Sequence, residues 1–410
     1  MDDSANYARS VESRTSWVVA IAALVILSVS YGAPLATVVA LKPIAAEFGA
    51  PRSAPALAVA LTFIGAGCGG IAMGWLAERI GVRWVVIFGG TMIGAGLTIS
   101  SLGDLTQLYI SSFLLVGLLG ASGMFAPLMT YVSRWFDRRR GTAIALISAG
   151  QYIAGALWPA LFQFGIDQIG WRHTMLAYAA FVVVVILPLA AIYLRRPPDI
   201  ATFGGIEVGP RVGAPVLGLP PNLVLGALAF ATFCCCVTMS IPLAHMVAFC
   251  GDIGVGARAG AAMLSLQLGA GFFAQQIWGW IADRLGGLRT ILFASAGMAV
   301  SMTAFLLTQD EIGLYSVSAV FGLAFGGLIP GYILAIREIF PAAEASWRIP
   351  AVLFPGALGM AAGGLLAGAI HDAYGFYAPA FIAGIAFNVV NLLLIGVLVP
   401  RHASPRMAMV

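Results

Sequence analysis

Gly74-Trp75-Leu76-Ala77-Glu78-Arg79-Ile80-Gly81 returns 205 positions later as Gly279-Trp280-Ile281-Ala282-Asp283-Arg284-Leu285-Gly286. Apolar residues are exchanged for apolar, acid for acid, and the Trp, Arg and flanking Gly residues are kept. Two further segments repeat at nearly the same offset. Asp167-Gln168-Ile169-Gly170-Trp171 returns as Asp372-Ala373-Tyr374-Gly375-Phe376, and Gly123, Pro127 and Arg134 return as Gly326, Pro330 and Arg337. In a chain of 410 residues this offset divides the sequence into two copies of one unit.

Around these anchors the chain is too apolar for a water-soluble core. It is 60% hydrophobic and 9% charged, with a mean hydropathy of +0.97, whereas soluble domains carry roughly 25% charged residues. Apolar stretches fall at 16–41, 54–77, 84–102, 107–133, 141–165 and 172–194, then at 221–249, 257–282, 289–308, 312–336, 349–370 and 376–399. Each is long enough to cross roughly 30 Å of hydrocarbon as a helix. None shows the short alternating segments of a membrane barrel. The first stretch is too long for the apolar part of a signal peptide and reads as a retained helix. The expected fold is therefore all-α, with twelve transmembrane helices in two pseudo-symmetric six-helix bundles. The bundles span 1–194 and 221–410, joined by a cytoplasmic linker at 195–220.

Charge placement sets the expected orientation. With both termini inside, every Lys and Arg falls in a cytoplasmic segment except Lys42, Arg52, Arg172 and Arg258, as the positive-inside rule requires. The expected location is the plasma (inner) membrane, with both termini cytoplasmic. Parallel six-helix repeats are a transporter architecture with a binding site between the repeats. The expected partners are a lipid bilayer and a small-molecule substrate. A net charge of +4 gives no reason to invoke nucleic acid, and a monomer is expected.

Several chemistries are not indicated. Cys68, Cys234, Cys235, Cys236 and Cys250 lack metal-ligand spacing, and no metal or cofactor is expected. Gly65-x-Gly67-x-x-Gly70 formally matches a dinucleotide fingerprint but has no strand before it. There is no phosphate-binding loop for ATP. No paired carboxylates or nucleophile–base set lies within the helices, so an enzyme is not expected. Glycines four apart, Gly70/Gly74, Gly90/Gly94, Gly322/Gly326 and Gly364/Gly368, are expected to allow close helix approach. Pro34, Pro127, Pro242 and Pro330 are expected to bend spans 1, 4, 7 and 10 around a central path.

The repeated Gly-Trp-[Leu/Ile]-Ala-[Glu/Asp]-Arg-[Ile/Leu]-Gly segment resembles the signature loop of the major facilitator superfamily, and this resemblance covers the whole chain. It implies carriage by alternating access. It also implies a latch at the cytoplasmic side formed by Gly74, Glu78, Arg79, Gly81 and Arg83 in one half and Gly279, Asp283, Arg284, Gly286 and Arg289 in the other. Glu78 stands where the family has aspartate. The run Trp135-Phe136-Asp137-Arg138-Arg139-Arg140-Gly141-Thr142-Ala143, continuing to Ala149-Gly150, resembles the start of helix 5 in monocarboxylate transporters, whose bacterial relatives include oxalate/formate exchangers. Of that family's signature before helix 1, only Glu12 and Trp17 correspond.

The departures from that branch narrow the chemistry. Gln275 stands where family members usually carry a carboxylate with an arginine, Gly271 where many have an acid, and Leu35 where a lysine can follow the helix 1 proline. No Asp, Glu, Lys or Arg lies well inside a span, although intramembrane charge is the usual mark of recognition or proton coupling. Neutral donors remain. Gln267, Gly271 and Gln275 share one face of span 8, and Tyr31, Gln151, Tyr152 and Tyr332 supply further hydroxyls and an amide. These are the candidate substrate-binding residues, and His245 is the candidate proton site. The expected function is secondary active or facilitative transport of a small, monocarboxylate-like organic acid, by symport, antiport or facilitated diffusion. Two alternatives stay open: a carrier or exporter of a neutral or amphipathic metabolite, and a non-transporting sensor on the same fold.

Overall fold

A computed structural model describes residues 12–136, 139–195, 216–340 and 342–403. Most of the expected linker, residues Asp137 and Arg138 of the helix 5 run, and both extreme termini lie outside this set. Helices α1 (Arg14–Val39), α2 (Leu41–Glu47), α3 (Ser53–Ile80) and α4 (Val82–Leu102) open the chain. They are followed by α5 (Leu105–Ile110), a π-helical turn Ser111–Gly120, a 3₁₀ turn Ala121–Gly123, and α6 (Phe125–Ser133). Next comes α7 (Arg140–Tyr193). The second half comprises α8 (Pro221–Asp252), α9 (Ala257–Leu285), α10 (Gly287–Leu307), α11 (Glu311–Phe325), α12 (Leu328–Ile339), α13 (Ala342–Tyr374) and α14 (Ala378–Ala403).

Ten segments are long and apolar enough to cross a membrane, and the difference from twelve has two causes. The first is α7, whose 54 residues would extend about 80 Å if straight. It turns back at Gly170 (φ 79°, ψ 163°), where Gly165 packs against Thr174, so it crosses twice. The second is α9, the expected eighth span, which is 29 residues long but diluted by Gln267, Gln275, Gln276, Asp283 and Arg284. Alternation of the twelve spans puts the start of α1 and the end of α14 on one face, here termed the terminal face. The opposite face is termed distal.

The repeated motifs mark the turns. Gly81 (φ 91°) and Gly286 (φ 81°) end α3 and α9, and Gly170 (φ 79°) and Gly375 (φ 81°) turn the chain at the distal face. All four lie in the left-handed region that a Cβ disfavours. That requirement accounts for glycine at the corresponding positions of both halves.

Two of the four expected proline bends break their helix and two do not. Pro127 and Pro330 have no N–H to offer the carbonyls of Gly123 and Gly326. The fourth span passes through π and 3₁₀ turns up to Gly123, and the tenth is divided between α11 and α12 at Gly326 and Gly327. By contrast, α1 and α8 run uninterrupted through Pro34 and Pro242.

Three of the four glycine pairs are close-packing positions. Gly90 and Gly94 abut Ile186 and Val183 of α7, Gly322 and Gly326 abut the backbone of Gln267 and Gly271, and Gly364 and Gly368 abut Ser240 and Ser53. Gly70 and Gly74 are a correction, since no atom lies within 4 Å of a Cβ at either position. A substitution Gly322→Leu should therefore destabilise the protein by about 1–3 kcal/mol through overpacking. Gly70→Leu should stay within about 0.5 kcal/mol of wild type. Thermal unfolding of both variants in the same detergent measures the contrast.

Candidate substrate path and distal clasp

At the distal face the two halves are joined by charge. Asp252, ending α8, accepts hydrogen bonds from Lys42 Nζ (2.9 Å) and from Arg52, whose Nη2 lies 2.6 Å from Oδ1. His371 Nε2 lies 3.4 Å from the same carboxylate. Asp372 caps the start of α3 from the opposite half, accepting from the backbone N–H groups of Arg52 (2.7 Å) and Ser53 (2.9 Å). Its repeat counterpart Asp167 faces the start of α9, accepting from Arg258 Nε at 2.5 Å and from Gln163 at 2.8 Å. The duplicated Asp-x-x-Gly segment thus supplies one carboxylate to each half, and each carboxylate reaches across to the other half.

Behind this clasp lies His245, 1% exposed. Its Nε2 is 2.8 Å from the Gly364 carbonyl and its Nδ1 is 3.0 Å from the Tyr377 hydroxyl. A carbonyl only accepts, so Nε2 carries the hydrogen. In the neutral ring Nδ1 then accepts from Tyr377, whose oxygen accepts in turn from Arg52 Nη1 at 3.0 Å. Burial pushes the Tyr377 phenol up to about 12, so it remains a neutral hydroxyl in this chain. His245 is the candidate proton site named from sequence, and it is buried. The fold encloses the ring because Tyr377 and Gly364 close over it.

Midway through the structure the halves meet through aromatic rings. Tyr152 of α7 stacks on Phe325 of α11, with centroids 6.3 Å apart and an interplanar angle of 24°. Gly271 of α9 sits against both rings, and a Cβ there would come within 2.7 Å of Tyr152 and 3.2 Å of Phe325. This explains the missing acid at Gly271, because the aromatic pair occupies the space. Tyr31 of α1 meets Phe125 edge-on at 6.3 Å. Gly150 packs against Leu27 and Ser28, so Tyr31 and Tyr152 come from adjacent helices at similar depth. Neither hydroxyl has a hydrogen-bond partner among the described residues.

The amides divide. Gln275 is half-buried and its Oε1 lies out of contact with solvent, whereas Gln267 is fully buried; Gln275 Oε1 and both Oε1 and Nε2 of Gln267 have no partner among the described residues. A buried amide without partners is costly, so Gln267 is a strained polar group inside the second half. Gln151 is half-buried. Tyr332 does not join this level. It is fully buried and donates to Asn391 Oδ1 at 2.7 Å, and Asn391 in turn donates to Ser295 Oγ at 2.5 Å. Its hydroxyl is committed to packing of α10, α12 and α14, which removes it from the expected set of site residues.

At the terminal face the latch residues Arg79, Arg83 and Arg284 make their described contacts within their own halves. Arg79 lies 4.0 Å from the Trp75 ring and Arg284 lies 3.7 Å from that of Trp280, a duplicated cation–π pair one helical turn apart. Arg83 Nε donates to the Leu194 carbonyl at the end of α7, at 2.8 Å, satisfying a helix C-terminus. Glu78 and Arg289 have no ion-pair partner among the described residues, and the side chain of Asp283 lies outside them. One charge missed from sequence is Arg348, expected in a loop. It is 3% exposed, pairs with Glu344 at 2.8 Å and lies over the Phe340 ring, because α13 begins before the apolar stretch does.

Two bundles clasped at one face, with aromatic rings meeting between them, have the architecture of a membrane transporter. The Major Facilitator Superfamily model matches residues 17–308 and 227–408, and the chain belongs to that family. It is 26% identical over 323 residues to monocarboxylate transporter 13 of Bos taurus, covering 76% of this chain and 72% of that protein. It is 28% identical over 395 residues to monocarboxylate transporter 11 of Mus musculus, covering 90% and 84%. It is 25% identical over 257 residues to the agnestins efflux protein AgnL12 of Paecilomyces divaricatus, covering 62% and 57%. Among solved structures, a bacterial homologue of the human lysosomal transporter Spinster superposes with a TM-score of 0.69 at 15% identity, covering 96% and 95% of the two chains.

Breaking the clasp should open the distal face. With spin labels at Ala50 and Gly254, the double substitution Asp252→Asn and Asp372→Asn should shift the distance distribution toward longer separations about fivefold. That corresponds to about 1 kcal/mol for partly exposed ion pairs. Asp104→Asn, at a helix cap within the first half, should leave the distribution unchanged.

Proposed function

We propose that this protein carries a small organic acid of the monocarboxylate type by alternating access across a plasma membrane, with both termini cytoplasmic. In this reading the carboxylate clasp closes the path at the distal face, which is external. The observation that carries the reading is the level formed by Tyr31, Tyr152, Gly271 and Gln275. Tyr152 and Gly271 meet between the halves, Gln275 follows Gly271 by one helical turn, and the hydroxyls of Tyr31 and Tyr152 and the Oε1 of Gln275 have no partner among the described residues. Such a surface suits an apolar or aromatic body bearing one polar end. A carboxylate is held there by hydroxyl and amide donors in place of the arginine that the related branch uses. The named relatives that transport monocarboxylates support the acid. The skew of Lys and Arg toward the terminal face supports the orientation.

With His245 enclosed and no carboxylate at the aromatic level, exchange or facilitated diffusion suits the chemistry better than proton symport. The purified protein in liposomes should show saturable counterflow of labelled monocarboxylates, including aromatic ones. Tyr152→Ala should cut this flux at least tenfold at equal protein level. Tyr332→Phe should alter thermal stability and leave the half-saturation concentration in place. Absence of saturable flux over the whole panel of acids would reject the acid reading.

A second reading is favoured by the uncharged aromatic level and by the similarity to an efflux protein: the cargo is a neutral or amphipathic metabolite, moved outward. Gln275→Arg separates the two. For a natural acid carrier the added charge should change carboxylate affinity within roughly tenfold. For a carrier of neutral cargo it should create carboxylate flux where the wild type has none and abolish flux of the neutral compound.

A further inference from the structure

The two halves treat their corresponding terminal-face loops differently. In the second half, Glu338 Oε2 accepts a hydrogen bond from Gly287 N at 2.8 Å, and its carboxylate lies against Gly286. The loop between α9 and α10 is therefore occupied by an anion supplied by the chain itself. Glu338 follows Arg337, whose counterpart in the first half is Arg134. The residue after Arg134 is Trp135, so no carboxylate stands at the position corresponding to Glu338.

In the first half a cavity of about 340 Å³ lies between the α3–α4 loop, α6 and the end of α7. Arg83, Arg134 and Arg195 line it, and Glu78 is the one acidic residue among the described lining residues. Arg83 spends its Nε on Leu194 and Arg195 its Nε on Ile192, which leaves their terminal nitrogens. Arg134 has no partner among the described residues. Tyr131 donates to the Arg195 carbonyl at 2.5 Å and fixes that end of α7 beside the cavity. Three like charges around one space repel each other unless an anion enters. Guanidinium groups match the oxygens of a phosphate in number and geometry. Ile80 and Trp84, also in the cavity wall, are 48% and 58% exposed, which is the amphipathic rim expected where a protein meets the headgroup layer.

We propose that this cavity is a binding site for a phosphate group, held by Arg83, Arg134 and Arg195, and that the bound anion takes the place in the first half that the Glu338 carboxylate takes in the second. The group comes either from the headgroup of an acidic phospholipid in the adjacent leaflet or from phosphate in solution. Basic pockets between membrane helices take acidic headgroups in this way. The site does not depend on the identity of the cargo.

The test uses the full-length protein in neutral detergent, with native mass spectrometry and thermal unfolding as readouts. The ligands are phosphatidylglycerol, phosphatidylcholine and inorganic phosphate, each added separately. Phosphatidylglycerol should bind at least tenfold more tightly than phosphatidylcholine. Arg134→Gln combined with Arg195→Gln should remove that preference, Glu78→Gln should strengthen it, and Arg337→Gln in the second half should leave it unchanged. Ala126→Phe, which fills the cavity and keeps every charge, should also remove the preference. It serves as the independent variant if the arginine substitutions impair folding. Stabilisation by inorganic phosphate alone, sensitive to the same variants, identifies solution phosphate as the source. Stabilisation by phosphatidylglycerol only identifies the lipid. No preference for phosphatidylglycerol or inorganic phosphate over the zwitterionic phosphatidylcholine, or equal loss on Arg337→Gln, overturns the proposal.

Discussion

The halves of this transporter are joined at one face by carboxylates that cross between them. Asp372 caps the start of α3, Asp167 takes Arg258 at the start of α9, and Asp252 gathers Lys42 and Arg52. Partly exposed ion pairs are individually weak, which suits a gate. A clasp built from several small contributions can be released without unfolding either bundle. A contact as strong as the packing within a bundle would trap one state.

Beneath the clasp the interface changes from charge to rings. Tyr152 and Phe325 stack across the divide and Gly271 leaves the space they need. The layer is polar only through hydroxyls and amides. A charge at this depth would have to be paired or to face water to be tolerated, and this chain avoids the problem by keeping its charges at the two ends. At the terminal end, Arg79 and Arg284 rest on Trp75 and Trp280 of their own helices.

Much of this was legible from residue order. The duplication located the turns, and the left-handed glycines Gly81, Gly286, Gly170 and Gly375 show why those positions could not vary freely. The four cations that disobeyed the charge rule, Lys42, Arg52, Arg172 and Arg258, carried a further signal that the sequence reading did not use. All four are paired at the distal face, Arg172 with Glu47 at 2.7 Å and the other three across the divide. Basic residues placed against the prevailing charge bias had a local reason to be there.

Composition, periodicity and charge by themselves determined that lipid surrounds this chain, how many times it crosses, and that its halves are copies. These follow from span length and from the cost of burying unpaired backbone in hydrocarbon, which any stretch of residues reveals on its own. Only the tertiary structure decided that Tyr332 serves the core while Tyr152 faces the divide, that Gln267 is enclosed while Gln275 is half-exposed, and that His245 is sealed behind Tyr377. Those outcomes depend on the rotation of each helix about its axis and on which neighbour it meets. A span apolar on nearly every side, such as α1 or α8, carries too little asymmetry along its sequence to specify either.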